Sequence, residues 1–292
     1  MFIRFMSALR GLKSLFRNAH SRPNSARDEV VAQKQLMLTY QQLDDGEQLP
    51  FRQVGFGIYS QHDEDGILVY IFSRIGVRTC KAVEMCAGTG DECNVANLLI
   101  NHRWTGLLVD GNPKNVDLAR EFYRRRTETM HWPPTILHAW ITRANVNKLL
   151  LDAGYDGEID LLSLDVDGVD YWLWEAMTVI TPRVVVLEYN HLLGPDVAVT
   201  VPYRDDFVAE FTEFGSDYAG ASLAAFIKLG RRKGYRYVGS NTIGTNAFFV
   251  RDDVPCDALP EADPHEAFMH PRVRFGMEVR HPGVKDKRWV EV

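Results

Sequence analysis

The stretch KAVEMCAGTGDECNVANLL, residues 81–99, runs from a short apolar segment through a glycine-bearing turn into a helical period, and its reading decides the fold. Lys81–Met85 reads as a strand and 91–101 as a helix. Between them Gly88 and Gly90 allow a tight turn and a close approach of backbone to ligand. Many nucleotide-binding proteins share such a turn, so its neighbours have to decide what it holds. Asp91 and Glu92 are expected at the helix N-terminus, the place a pyrophosphate would take, and two carboxylates there repel phosphate. The turn therefore suits a cationic, phosphate-free ligand.

Working outward, strand and helix alternate. Strands are expected at 81–85, 104–110, 135–141, 159–165 and 183–189, with helices at 91–101, 114–126, 145–153 and 171–180 between and after them. A further helix, 63–76, precedes the first strand. Five alternations of this kind imply an α/β fold, a doubly wound, mostly parallel sheet with helices on both faces. After a helix at 222–233, the segments 235–239 and 246–251 read as a C-terminal hairpin, which makes the last strand antiparallel. The organisation expected is a leader and helical extension at 1–49, a main domain at 50–255 with an insertion near 190–221 on the substrate side, and a tail at 256–292.

Composition narrows the function. The 292 residues are 46% hydrophobic and 25% charged, which excludes global disorder. A net charge of −6 argues against nucleic acid as partner. The cysteines 80, 86, 93 and 256 form no CxxC pair, so neither a zinc ribbon nor a disulfide framework is expected, and a cytoplasmic location follows. No apolar run approaches the roughly 20 residues of a membrane span. The first 27 residues stand apart, with six Lys or Arg and no acid. Phe2, Phe5, Met6, Leu9, Leu12 and Phe16 recur at helical steps there, so residues 1–20 can lie on anionic lipid or pack as an ordinary helix.

The chemistry-bearing residues gather at strand ends. Asp110 closes the second strand, where it can accept both hydroxyls of a ribose or cap the next helix. Asn145 and Asn147 can meet an adenine edge or cap their own helix. Asp165 and Asp167 after the fourth strand, and Glu188 and Asn190 after the fifth, are expected to converge. They can act as general bases, hold a positive ligand by charge, or, through Asp165, Glu188 and Asn190, bind Mg²⁺. His191 is the candidate general base, against the alternative of a buried, hydrogen-bonded histidine. Asp170 reads as a helix N-terminal acid.

With these residues in view the sequence resembles the class I S-adenosylmethionine-dependent methyltransferases, and most of all their FkbM-like group. The likeness runs from about Tyr59 to Arg251 and rests on YSQHDEDGI, VEMCAGTG, LLVDGNP, LLSLDVDGVDYWLWEAM, VVVLEYN and GYRYVGSNTIGTNAFFVR. It implies a Rossmann-like sheet and methyl transfer to an oxygen of a small molecule or glycan. It implies cofactor contacts from Gln61, Glu84, Gly88, Gly90, Asp110, Asn145 and Asp165, with Gln61 and an acid, Glu64 or Asp65, at the methionine end. Catalysis would fall to Asp165, Glu188 and His191. Tyr218, Ser222 and Asn246, with the aromatic residues Phe207, Phe211 and Phe214, are expected on the acceptor side. Two positions depart from the pattern: Cys86 stands where a glycine is usual, and so does Asp63. A nicotinamide-dependent oxidoreductase and a non-catalytic adaptor are the alternatives on the same fold.

Overall fold

The computed structural model describes residues 23–212 and 215–292. Lys81–Met85 (β1) is buried at four of its five positions, as a strand in the interior of a parallel sheet must be. Thr105–Asp110 (β2), Thr135–His138 (β3), Gly157–Leu164 (β4), Ile180–Glu188 (β5), Tyr235–Ser240 (β6) and Asn246–Arg251 (β7) complete a seven-stranded sheet in the order β3-β2-β1-β4-β5-β7-β6. Pairing from β3 to β5 is parallel throughout, while β7 runs antiparallel to both neighbours. This is the doubly wound α/β sheet with a C-terminal hairpin that the alternation predicts.

Side chains leave each strand alternately to two cores. Ala82, Leu108 and Leu161 pack under Pro23–Gln41 (α1), Glu64–Ile75 (α2), Ala96–Asn101 (α3) and Pro113–Arg125 (α4). Val83, Leu107 and Leu162 face Val146–Asp152 (α5), Asp170–Ala176 (α6) and Leu223–Lys233 (α7). Local chemistry sets several ends. Pro113 follows the cap residue Asn112, whose side chain accepts from Lys114 N, and Ser222 accepts from Ala225 N.

Several expected boundaries move, β5 starting at Ile180 and α6 ending at Ala176 among them, and two have a local cause. The helix after the turn starts at Ala96, because the buried Glu84 carboxylate accepts the Val95 amide (3.0 Å) and so caps the helix there. β3 ends at His138, three residues short of expectation. Asn145 folds the chain beyond it into a loop, donating to Trp140 O and accepting from Thr142 N.

The insertion and the tail interlock. Val199–Thr200 pairs with Val290–Glu291, and Glu210–Thr212 with Gly215–Tyr218. The insertion is sewn to the main domain by Trp172 Nε1 to Val201 O (2.8 Å), Trp140 Nε1 to Asp205 O (2.5 Å) and Gly220 N to Gly168 O (2.9 Å). Phe268, Val273 and Val284 of the tail are buried in the same core as β4 and β5. The basic leader over residues 1–22, and Phe214, lie outside the described residues. No described helix is long and apolar enough to cross a membrane.

At the end of the sheet away from the turn, Asp160 on β4 meets Arg183 on β5. Asp160 is fully buried and also accepts the amides of Thr79 (2.6 Å), Cys80 (2.7 Å) and Arg78 (3.1 Å). Arg183 also donates to Ile75 O and Gly76 O.

Candidate functional site

The glycine turn leaves β1 at Cys86, which adopts a left-handed φ of 69°, as do Gly88 (57°) and Gly90 (74°). Gly90 is packed against Tyr123 and Ala119, 3.0 and 3.1 Å from where a Cβ would stand, whereas the corresponding direction at Gly88 is open space. The Gly88 amide donates to Asp110 Oδ2 (2.8 Å), and Cys86 Sγ lies 3.8 Å from the same oxygen. Asp110 Oδ1 accepts from Asn112 N (2.7 Å) and Asn115 Nδ2 (3.1 Å), so this buried carboxylate ties the tips of β1 and β2 together. Asn112, not Asp110, caps α4.

Glu84 is buried beneath the turn. Its oxygens accept from Ser163 Oγ (2.7 Å) and Val95 N, and burial pushes its pKa up to about 8. Glu84 therefore supports the turn from below. It also takes the helix N-terminus, which leaves no place there for a pyrophosphate. Asp91 and Glu92 are not at that terminus, since α3 begins at Ala96.

The tips of β4 and β5 bring acids together. Asp165, Asp167 and Glu188 offer oxygens that all lie within 4.8 Å of one another. Carboxylates this close cannot all stay ionised without a cation. Glu188 is raised well above the usual range by desolvation and then by Asp165, with which it shares a hydrogen bond, and by Asp167 and Asp170. Asp170 accepts Val166 N (2.7 Å) and Gly168 N (3.0 Å), bracing Asp167 at a left-handed φ of 51°. Burial, then Asp165, pushes Asp170 up to about 7.

A second polar group sits at the start of α2. Glu64 is fully buried and accepts from Asn241 Nδ2 (2.7 Å), Asn246 Nδ2 (2.8 Å) and His62 N (3.0 Å). A carboxylate only accepts, so the amide group of Asn246 must face it and the carbonyl must point away. That carbonyl oxygen is buried without a donor, and Asn246 is the register partner of Glu188. Asp65 Oδ2 gathers the amides of Ile58, Tyr59 and Ser60, while its buried Oδ1 has no partner. Burial lifts Asp65 to about 6. Asp63 reaches the β6–β7 turn, accepting from Thr242 N (3.2 Å).

Several of the expected site residues have other partners. Asn190 is not a metal ligand: its amide donates to Asp217 O (2.8 Å) and Ala219 O (3.0 Å), and its carbonyl caps the turn at Leu192. His191, the candidate general base, is packed against the tail. Gly276 packs on its ring, its Nε2 is buried without a partner, and burial together with Arg280 and Arg272 holds its pKa down at about 4. Asn145 spends both ends of its amide on its own loop, and Asn147 donates to Ala176 O. Gln61 is exposed. Tyr218 donates to Arg288 O and Ser222 caps α7, so both serve the insertion's packing. Phe207 lies on Gly168 and Phe211 is exposed. His62, passed over in the sequence, stands among Glu64, Asp63, Glu92 and Arg272, its pKa lowered mainly by burial. Its signal was its place inside QHDED.

No family model and no curated protein matches this chain. Among solved structures it is similar to magnesium protoporphyrin IX methyltransferase (ChlM) from Synechocystis PCC 6803 with bound SAM, at 14% identity over 64% of this chain and 77% of that one, with a TM-score of 0.40. It is also similar to an O-methyltransferase family protein from Burkholderia thailandensis (14% identity, 80% and 61% covered, TM-score 0.38). A third is the glycopeptide N-methyltransferase MtfA complexed with S-adenosyl-L-homocysteine (10% identity, 68% and 94% covered, TM-score 0.41). The likeness is one of chain path, and the chemistry has to be read from the residues above.

Proposed function

We propose that this chain is an S-adenosylmethionine-dependent methyltransferase acting on an oxygen of a small-molecule or glycan hydroxyl. One observation carries the reading. Asp165, Asp167 and Glu188 converge, and among the described residues no basic side chain forms an ion pair with Asp165 or Glu188, so the site calls for a cationic ligand. When bound, S-adenosylmethionine supplies that charge as a sulfonium, together with the methyl carbon to be attacked.

The surroundings fit the rest of such a molecule. The open side of Gly88 lies beside Asp110, where sugar hydroxyls can replace the weak thiol donor of Cys86. Trp140, about half exposed, lies across Gly111 just beyond Asp110 and presents an aromatic face for a base. The unpartnered oxygens of Asp65 and Asn246 are acceptors for an ammonium.

In this reading Glu188 keeps its proton and hydrogen-bonds Asp165 through it, and Asp165 takes the proton of the acceptor hydroxyl as the methyl group passes to that oxygen. A positioned base of this kind contributes about 10²–10⁴-fold, and alignment contributes the larger share. A divalent ion on Asp165, Asp167 and Glu188 is the second form of the proposal, favoured by their spacing, and it requires Glu188 to give up its proton. Turnover that survives EDTA selects the first form.

The test is calorimetric titration with S-adenosylmethionine and, in parallel, with a nicotinamide dinucleotide. Binding of the first alone is expected, and Asp110→Ala should weaken it by about 2–3 kcal/mol, the worth of hydrogen bonds to a charged acceptor. Binding of the dinucleotide instead would overturn the proposal.

A further inference from the structure

The acceptor-side face carries a feature that methyl transfer does not use. Residues 270–289 hold six Lys or Arg and two acids, a net +4, whereas residues 28–269 carry −15. Within this basic tail, Pro271–Phe275 (α8) continues as a wider helical turn over Gly276–Arg280. Its inner side is Val273 and Gly276, both buried, and Arg280, paired with the buried Asp217. Its outer side is Arg272, Arg274, Phe275, Glu278 and Val279.

The apolar exposure is concentrated. Fourteen large hydrophobic side chains are exposed among the described residues, and five of them come from two short segments: Val208 and Phe211 in the insertion, and Met269, Phe275 and Val279 in the tail. The ion pairs Arg280–Asp217 and Lys287–Glu210 hold these segments side by side. Phe275 and Val279 are one helical turn apart, so they share a face. Arg272, Arg274, Lys285 and Arg288 surround them, exposed and outside every ion pair among the described residues.

This face adjoins the site. Gly276 packs on His191, just past the tip of β5, and Val273 and Ala267 pack on Gly244 in the β6–β7 turn. The charge of Arg272 is felt by both His62 and His191.

We propose that this face docks on an anionic lipid surface, with Phe275, Val279, Met269 and Phe211 entering the headgroup layer and the arginines meeting lipid phosphates and carboxylates. Basic residues ringing an apolar helical face are the mark of an interfacial helix. Charge argues against a second copy of the chain as occupant, because a two-fold contact would set +4 against +4. The −15 of residues 28–269 keeps the other faces off the bilayer, so docking orients the molecule with its acceptor-side mouth toward lipid. The docking itself does not depend on the methyl-transfer reading.

The experiment is co-flotation of the full chain with vesicles of phosphatidylcholine containing about 30% phosphatidylserine, against phosphatidylcholine alone. Binding to the anionic vesicles is expected, weakening as salt rises. Arg272→Gln with Arg274→Gln should lower the partition coefficient about thirtyfold, at roughly 1 kcal/mol per basic residue near the surface. Phe275→Asp with Val279→Asp should lower it further, with circular dichroism and thermal melting reporting that each variant is folded. Equal partition for both double variants and the unsubstituted chain overturns the proposal and hands any binding to residues 1–20. Loss of a dimer in the aspartate variant, seen by sedimentation, overturns it in favour of self-association.

Discussion

Asp160 within β4 and Asp165 just past its C-terminal end stand five residues apart, and their surroundings are opposite in kind. Asp160 meets Arg183 and three backbone amides, and these partners hold its carboxyl below the usual range against the pull of burial. Asp165 meets Glu188, Asp167 and Asp170, and the group beside it is pushed up instead. The first setting pairs opposite charges, and the second brings like charges together. Stability should therefore reside at Asp160 and chemistry at Asp165.

The largest break of this contrast is Arg183→Met. Removing one member of a buried pair leaves a bare charge, so unfolding free energy should fall by about 3–5 kcal/mol, read from denaturant midpoints. Cofactor affinity in the fraction that stays folded should not change. Asp165→Asn should do the reverse, lowering kcat by about 10²–10³-fold while the melting temperature holds or rises.

Glu188→Gln sharpens the contrast through pH. An acid whose folded pKa is raised contributes stability that is present below its unfolded value and lost as pH rises. The variant should match the unsubstituted chain near pH 4 and exceed it in stability at pH 8, read from denaturant midpoints at the two pH values. Asp160 has the opposite sign: its contribution is present above the unfolded value and is lost as pH falls through the folded one. The smallest effect belongs to Cys86→Gly. Relief of its left-handed φ, offset by the flexibility of glycine in the unfolded chain, should stabilise by about 0.5 kcal/mol, measured by thermal melting.

Strands β1 and β7 fall at their expected residues because runs such as KAVEM and NAFFVR are apolar for a local reason. The convergence of Asp165 and Glu188, and the place of Asp110 at the end of β2, were legible because an open parallel sheet brings its strand tips to one edge. The start of α3 was not, since its cap is supplied by Glu84, eleven residues upstream through space. Asn190 read as a metal ligand because its position suits one; the carbonyls of Asp217 and Ala219 that claim it come from a distant segment. His191 lies one residue past Asn190, yet it turns to a tail whose docking depends on Val290 finding Thr200, a pairing with no local signal.

The Trp140 indole, lying across Gly111 and hydrogen-bonded to Asp205, has a kinetic meaning. A base settling on that ring would steady the insertion through the same side chain, so the two ligands should enter in a compulsory sequence, cofactor before acceptor.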